Sequence, residues 1–86
     1  MQYILVAFRS RNQTATMYQA FVSNGISAKI VNTPREVNVG CGISIRIDEG
    51  QFNLAKMIVE RYPQNTYTGF FRVTTNGGGF RVTRLC

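Results

Sequence analysis

Hydrophobic and polar positions of the chain follow two different periods. Residues 2–8 are apolar on both sides of an extended segment, a pattern typical of a central strand covered on both faces. A polar turn at residues 9–12 follows, and apolar residues then recur at helical spacing until Asn24-Gly25, a pair that favours the end of a helix. The apolar positions of this helix are Met17, Tyr18, Phe21 and Val22.

The same alternation of periods continues through the middle of the chain. Residues 27–32 and 42–47 read as two strands joined by a loop at residues 33–40. Asp48 followed by Gln51 resembles a capping box at the start of a second helix, which Pro63 ends. The apolar positions predicted for one face of this helix are Phe52, Ala55, Ile58, Val59 and Tyr62.

The C-terminal part of the chain reads as a hairpin. Residues 66–75 form a fourth strand, the glycine-rich turn at residues 76–79 reverses the chain, and residues 80–85 form a fifth strand. The order is βαββαβ with one added strand. It predicts an α+β fold with a single domain over residues 1–86, namely a ferredoxin-like sandwich in which two helices cover one face of an antiparallel sheet.

This topology places the one segment that looks suited to chemistry. In such a sandwich the third strand lies antiparallel beside the first, so Cys41 should lie near the turn at residues 9–12 and the start of the first helix. Arg9, Ser10 and Arg11 belong to that turn, and Arg35 lies in the same loop as Cys41. We therefore expect a positively charged pocket around the thiol.

The chemistry expected of such a pocket is nucleophilic. Helix N-terminal N–H groups and arginine side chains stabilise an anion, and the thiolate is the reactive form of cysteine. Gly40 and Gly42 flank Cys41 without side chains, so a partner could approach the sulfur closely. The alternative is that Cys41 is a small buried hydrophobic residue, which is the more usual role of a single cysteine.

Composition and charge narrow the classes of function. The 86 residues have a formal net charge of +6, which favours anionic partners. The chain has no histidine and only four acidic residues, which argues against acid–base catalysis and a metal site, and we predict no cofactor. With no apolar run near the length of a bilayer span and no leader-like start, the sequence predicts a cytoplasmic protein with reduced cysteines.

The loop motif is similar to a known family. A first strand ending in Phe8, a turn containing Ser10, and Thr33-Pro34-Arg35 followed within a few residues by Cys41-Gly42 resemble the small bacterial family of selenium/sulfur carrier proteins. The resemblance covers roughly residues 2 to 60, and its most specific part runs from the Thr-Pro-Arg triplet to Cys41-Gly42.

The resemblance implies that Cys41 bears a persulfide or a selenide and that a protein partner exchanges sulfur or selenium with it. It implies a carrier rather than a stand-alone catalyst, with Pro34 and Arg35 bordering Cys41. The sequence departs from the family pattern in residues 13–16, which lack lysine and glutamate, and in its glycine-rich hairpin and Cys86.

Two other classes remain open from the residues. RNA binding is suggested by the net charge and by residues 68–73, where Phe70 is the candidate stacking ring and Arg72 belongs to a basic stripe with Arg81. An exposed arginine ladder that protects a sheet edge explains the stripe equally simply. A small-ligand regulatory module is the third class, because the fold does not determine the function.

Cys86 raises a separate question. If the fifth strand adds outside the fourth, Cys86 ends at the same end of the sheet as Cys41, but about 14 Å away across three strand spacings. A disulfide needs the two Cα atoms within about 7 Å. We therefore expect no disulfide between Cys41 and Cys86 in the folded chain.

Overall fold

The computed structural model describes residues 1–37, 40–62 and 66–86. It has an α+β fold with two helices and one five-stranded antiparallel sheet. The elements are β1 (Gln2–Phe8), α1 (Arg11–Ser23), β2 (Lys29–Asn32), β3 (Ile43–Ile47), a 3-10 turn (Glu49–Gln51), α2 (Phe52–Arg61), β4 (Tyr67–Asn76) and β5 (Gly79–Arg84). No helix in the described ranges has the length and apolar character needed to cross a membrane.

The strand order in the sheet is β2-β3-β1-β4-β5. The apolar first strand lies in the centre, where it pairs with β3 on one side and with β4 on the other. Leu5 and its neighbours on both sides are buried, as the apolar run at residues 2–8 predicted. The expected pairing of the third strand with the first is confirmed, and β5 lies outside β4.

The two faces of the sheet differ in what covers them. Ile4, Val6 and Phe8 of β1 pack on one face with buried residues of both helices. Leu5 and Ala7 point to the other face, where the loop residue Val37 packs against them. One face is therefore covered by helices, and the other is covered only in part by the loop that leads to Cys41.

Helix α1 begins at a capped residue and ends at a glycine. The Ser10 hydroxyl accepts a hydrogen bond from the Gln13 N–H at 3.2 Å, a typical N-cap. Gly25 follows the helix with a φ of +83°, a conformation that glycine adopts at little cost. Met17 and Phe21 are buried as expected, but Val22 is 44% exposed, so the predicted apolar face is narrower than the periodicity suggested.

The start of α2 differs from the prediction. Asp48 makes no capping hydrogen bond, and a 3-10 turn precedes the helix, so the predicted capping box is wrong. Gln51 instead accepts a hydrogen bond from the Ser27 N–H at 3.2 Å, and Glu49 accepts one from Arg72 Nε at 2.6 Å. The side chains near this helix start are used to tie it to β4 and to the segment before β2.

The end of α2 also differs in detail. Ala55 and Ile58 are buried against the sheet, whereas Tyr62 lies beyond the helix and is 44% exposed. Tyr62 therefore does not belong to the predicted buried face. The prediction that Pro63 ends the helix lies outside the described residues.

Candidate functional site

The loop between β2 and β3 is closed by hydrogen bonds at its base. The Thr33 N–H donates to the Gly42 carbonyl at 2.8 Å, and the Thr33 hydroxyl lies 2.6 Å from the Ser44 hydroxyl. Further along, the Val37 N–H donates to the Pro34 carbonyl at 3.0 Å in a turn. Because Val37 is only 7% exposed and packs on the sheet, the loop is attached to the sheet at both its base and its middle.

Both glycines beside Cys41 have left-handed backbone conformations. Gly40 has a φ of +85° and Gly42 a φ of +96°, values that other residues adopt only with strain. A Cβ on Gly40 would also lie 3.0 Å from the Phe8 carbonyl oxygen. The glycines are therefore needed for the path of the backbone, which is a more direct reason than the access for a partner that the sequence suggested.

This backbone path brings Cys41 against the end of β1. The Cys41 N–H donates to the Phe8 carbonyl at 3.1 Å. Since Arg9 and Ser10 follow Phe8 directly, the cysteine lies beside the turn that precedes α1. The expected juxtaposition of Cys41 with this turn is confirmed.

The Cys41 sulfur is half-buried over the first turn of α1. Its polar contacts in the described part of the chain are the Thr14 hydroxyl and the Ile43 carbonyl, each at 3.8 Å. The Thr14 side chain is fully buried, and its hydroxyl donates to the Ser10 carbonyl at 2.8 Å. Both groups that face the sulfur therefore accept hydrogen bonds in this arrangement, which suits a protonated thiol.

Thr14 is a site residue that the sequence reasoning missed. It occupies the inward-facing position of α1 that precedes Met17 and Phe21, where an apolar residue is the norm. A hydroxyl on the buried face of a helix needs a hydrogen-bond partner, and this requirement was the available signal.

The predicted arginines have different positions. Arg11 lies beside the loop, since a Cβ on Gly42 would be 4.0 Å from its Nη2 atom. Arg9 is exposed and its N–H donates to the Thr66 carbonyl at 2.7 Å. Arg35 is exposed in the loop turn after Pro34, and among the described residues it is not one of the polar contacts of the sulfur.

Cys86 lies at the same end of the sheet in a different environment. The Tyr67 ring contacts the Phe8 ring at 5.9 Å between centroids, and the Tyr67 hydroxyl lies 3.6 Å from the Cys86 sulfur. Burial, followed by this hydrogen bond, raises the pKa of Tyr67 above its ordinary value. Both cysteines are free thiols, and β1 and β4 separate them, in agreement with the expected strand order.

The candidate rings and arginines for RNA stacking are placed less favourably than the sequence suggested. Phe70 is fully buried on the helix-covered face, so it cannot stack on a base. Arg72 is joined to Glu49 in an ion pair, so this member of the predicted basic stripe has a structural partner. These two positions give no support to RNA recognition through residues 68–73.

Comparison with known proteins supports the family suggested by the loop motif. A family model described as "putative Se/S carrier protein-like" matches residues 3–71. The matched span contains β1, α1 and the whole loop with Cys41, and it ends before β5 and Cys86. No curated protein and no solved structure gives a significant match.

Proposed function

Because the chain belongs to the family described as "putative Se/S carrier protein-like", we propose that it carries sulfur or selenium on Cys41. The observation that supports this assignment is the attachment of Cys41. Its N–H is bound to the end of β1, it is flanked by two left-handed glycines, and its sulfur lies half-buried over the first turn of α1. A core cysteine would not need this loop geometry.

The transfer step needs no external oxidant. The Cys41 thiolate attacks the outer sulfur of a donor persulfide, a new S–S bond forms on Cys41, and the donor leaves as its thiolate. An acceptor thiolate then attacks the outer sulfur of the Cys41 persulfide and releases the Cys41 thiolate. In a selenium cycle a selenium atom takes the place of the outer sulfur.

The Thr14 hydroxyl has a defined part in this cycle. Hydroxyl protons rotate, so Thr14 can donate to the Ser10 carbonyl when Cys41 is a thiol and to the sulfur when Cys41 is a thiolate. The start of α1 and Arg11 add favourable electrostatics on the same side. Thr14 thus positions and stabilises the anion without taking part in bond formation.

The exposed side of the loop is the proposed contact for the donor and acceptor proteins. Pro34 and Arg35 lie on this side, together with Arg9 at the end of β1. An acidic surface on the partner would complement these arginines. We place the cycle in the cytoplasm, where cysteines are kept as thiols, and on a ferredoxin-like sandwich, whose order of elements the chain follows.

Intact-mass measurement after incubation with a persulfide donor tests the proposal. The wild-type chain and Cys86→Ser should each gain one sulfur atom that dithiothreitol removes, whereas Cys41→Ser should gain none. Circular dichroism establishes that each variant is folded. A gain of sulfur on Cys41→Ser, or no gain on the wild type, would refute the assignment.

A further inference from the structure

A row of basic side chains crosses the face of the sheet that the helices leave open. The paired positions run from one edge to the other in the order Lys29, Arg46, Leu5, Phe71 and Arg84. Directly opposed residues of neighbouring strands share a face of the sheet. The three cations therefore lie on one line across all five strands, on the face of Leu5 and Phe71.

Two of these cations are held over aromatic rings. The guanidinium carbon of Arg46 lies 4.1 Å from the centroid of Tyr3, and that of Arg84 lies 5.3 Å from the centroid of Phe71. Such cation–π contacts hold the side chain in one place and leave its charge at the surface. Arg84 also donates to the Thr68 carbonyl, so it is a positioned group.

The backbone around Arg84 makes room for this arrangement. A Cβ on Gly69 would lie 3.1 Å from Arg84 Nη2, closer than most contacts of its kind. Glycine at this position therefore lets the guanidinium reach both the Thr68 carbonyl and the Phe71 ring. The placement of Arg84 depends on the sheet and not on a chance rotamer.

No acidic side chain shares this face among the described strand residues. The remaining side chains on it are Tyr3, Val31, Ser44, Ala7, Val73, Thr75, Phe80 and Val82. Phe80 is 40% exposed, which gives the face an accessible ring in addition to the two covered ones. Positive charge, flat guanidinium groups and an exposed ring together suit an anion that carries planar groups.

The size of the face decides between a protein and a nucleic acid. Five strands span about 19 Å and the residues concerned about 13 Å along the strands, which gives on the order of 250 Å². A stable protein–protein interface buries about 800 Å² on each partner. The open face is too small for such a partner, and its size suits a few unpaired nucleotides.

We propose that the open face of the sheet binds single-stranded nucleic acid without strong sequence preference. Lys29, Arg46 and Arg84 contact the phosphates, and bases stack on the two guanidinium groups and on Phe80. This site is separate from Cys41 and does not depend on the carrier function.

Fluorescence anisotropy of short labelled oligonucleotides of mixed sequence tests the proposal, with RNA and DNA in single-stranded and duplex form. Arg81 provides a matched control, because it lies on β5 like Arg84 but on the opposite face. Arg46→Gln and Arg84→Gln should each weaken binding of the single strands by about fivefold or more, and Arg81→Gln by less than about twofold. Arg84→Gln should also lower the slope of affinity against salt by about 0.7.

Two further measurements make the result decisive. Phe80→Ala should weaken binding of single strands, and thermal melting establishes that each variant is folded. Equal losses for Arg81→Gln and Arg84→Gln would show that net charge alone causes binding and would overturn the proposal. Tighter binding of duplexes, or equal competition by polyglutamate, would overturn it in favour of a general anion surface or an acidic protein.

Discussion

Cys41 and Cys86 lie at the same end of the sheet but are held in different ways. Cys41 is fixed by a backbone hydrogen bond to Phe8 and by two left-handed glycines, and its sulfur is half-buried. Cys86 is exposed at the end of the edge strand, where only Tyr67 contacts its sulfur. The difference shows that a cysteine acquires a defined position from the backbone around it and not from its place at one end of a sheet.

The comparison also separates two kinds of hydroxyl neighbour. Thr14 is fully buried and its proton is shared between the helix start and the Cys41 sulfur, whereas the Tyr67 hydroxyl is at the surface beside a chain end. If Cys41 is the functional thiol, changes around it should be costly and changes around Cys86 should be nearly neutral. The predictions below run from the largest expected effect to the smallest.

Gly40→Ala should produce the largest loss of stability. The left-handed φ costs a non-glycine residue about 1–2 kcal/mol, and the new Cβ would press on the Phe8 carbonyl, so we expect a loss of about 2 kcal/mol or more. Gly25→Ala is the matched control, since its φ is similar at +83° but no atom lies within 4 Å of its Cβ position. Urea denaturation measures both, and equal losses would show that the contact with β1 does not matter.

Thr14→Val should change the reactivity of Cys41 more than the stability of the chain. Valine keeps the shape of threonine but cannot donate to a thiolate, so we expect alkylation by iodoacetamide at neutral pH to slow by roughly fivefold. The Ser10 carbonyl keeps its bond from the Thr14 N–H, so the loss of stability should stay within about 1 kcal/mol.

Thr14→Ser is the control for this effect, because it keeps the hydroxyl. All rates are measured in the Cys86→Ser background so that a single thiol reacts. If Thr14→Ser slows alkylation as much as Thr14→Val does, packing and not the hydroxyl governs the reaction.

Tyr67→Phe should change stability only in alkaline solution. In the unfolded chain tyrosine loses its proton near pH 10, whereas the raised pKa of Tyr67 keeps the proton bound in the folded chain at higher pH. Deprotonation then favours the unfolded state, so stability should fall as the pH rises above about 10. Tyr67→Phe should show a smaller fall, which urea midpoints at two pH values measure. An identical fall in both chains would contradict the raised pKa.

The smallest expected effect is the absence of a cross-link between the two cysteines. With β1 and β4 between their strands, mild oxidation of the folded chain should leave no disulfide between Cys41 and Cys86. Peptide mapping without reductant measures this, and the same oxidation in denaturant is the positive control. An abundant cross-link within one folded chain would show that the end of β5 moves.

The order of the elements could be read from the sequence because its signals are local. The uninterrupted apolar run before Arg9 predicted the central strand, and Ser10 and Gly25 mark the two ends of α1. The capping box failed for a nonlocal reason, since Glu49 binds Arg72 of β4 and the segment tightens into a 3-10 turn. A local motif loses to a charged partner that lies 23 residues away in the chain.

The sequence by itself determined the family and the identity of the candidate thiol, because the triplet at residues 33–35 and Cys41-Gly42 lie close together in one loop. Only the tertiary structure decided which groups meet the Cys41 sulfur. Thr14 is 27 residues away from it, and the packing of α1 beside β3 brings the two together. The row of cations on the open face likewise depends on the register of five strands, which arises from the pairing of distant segments and not from any local pattern.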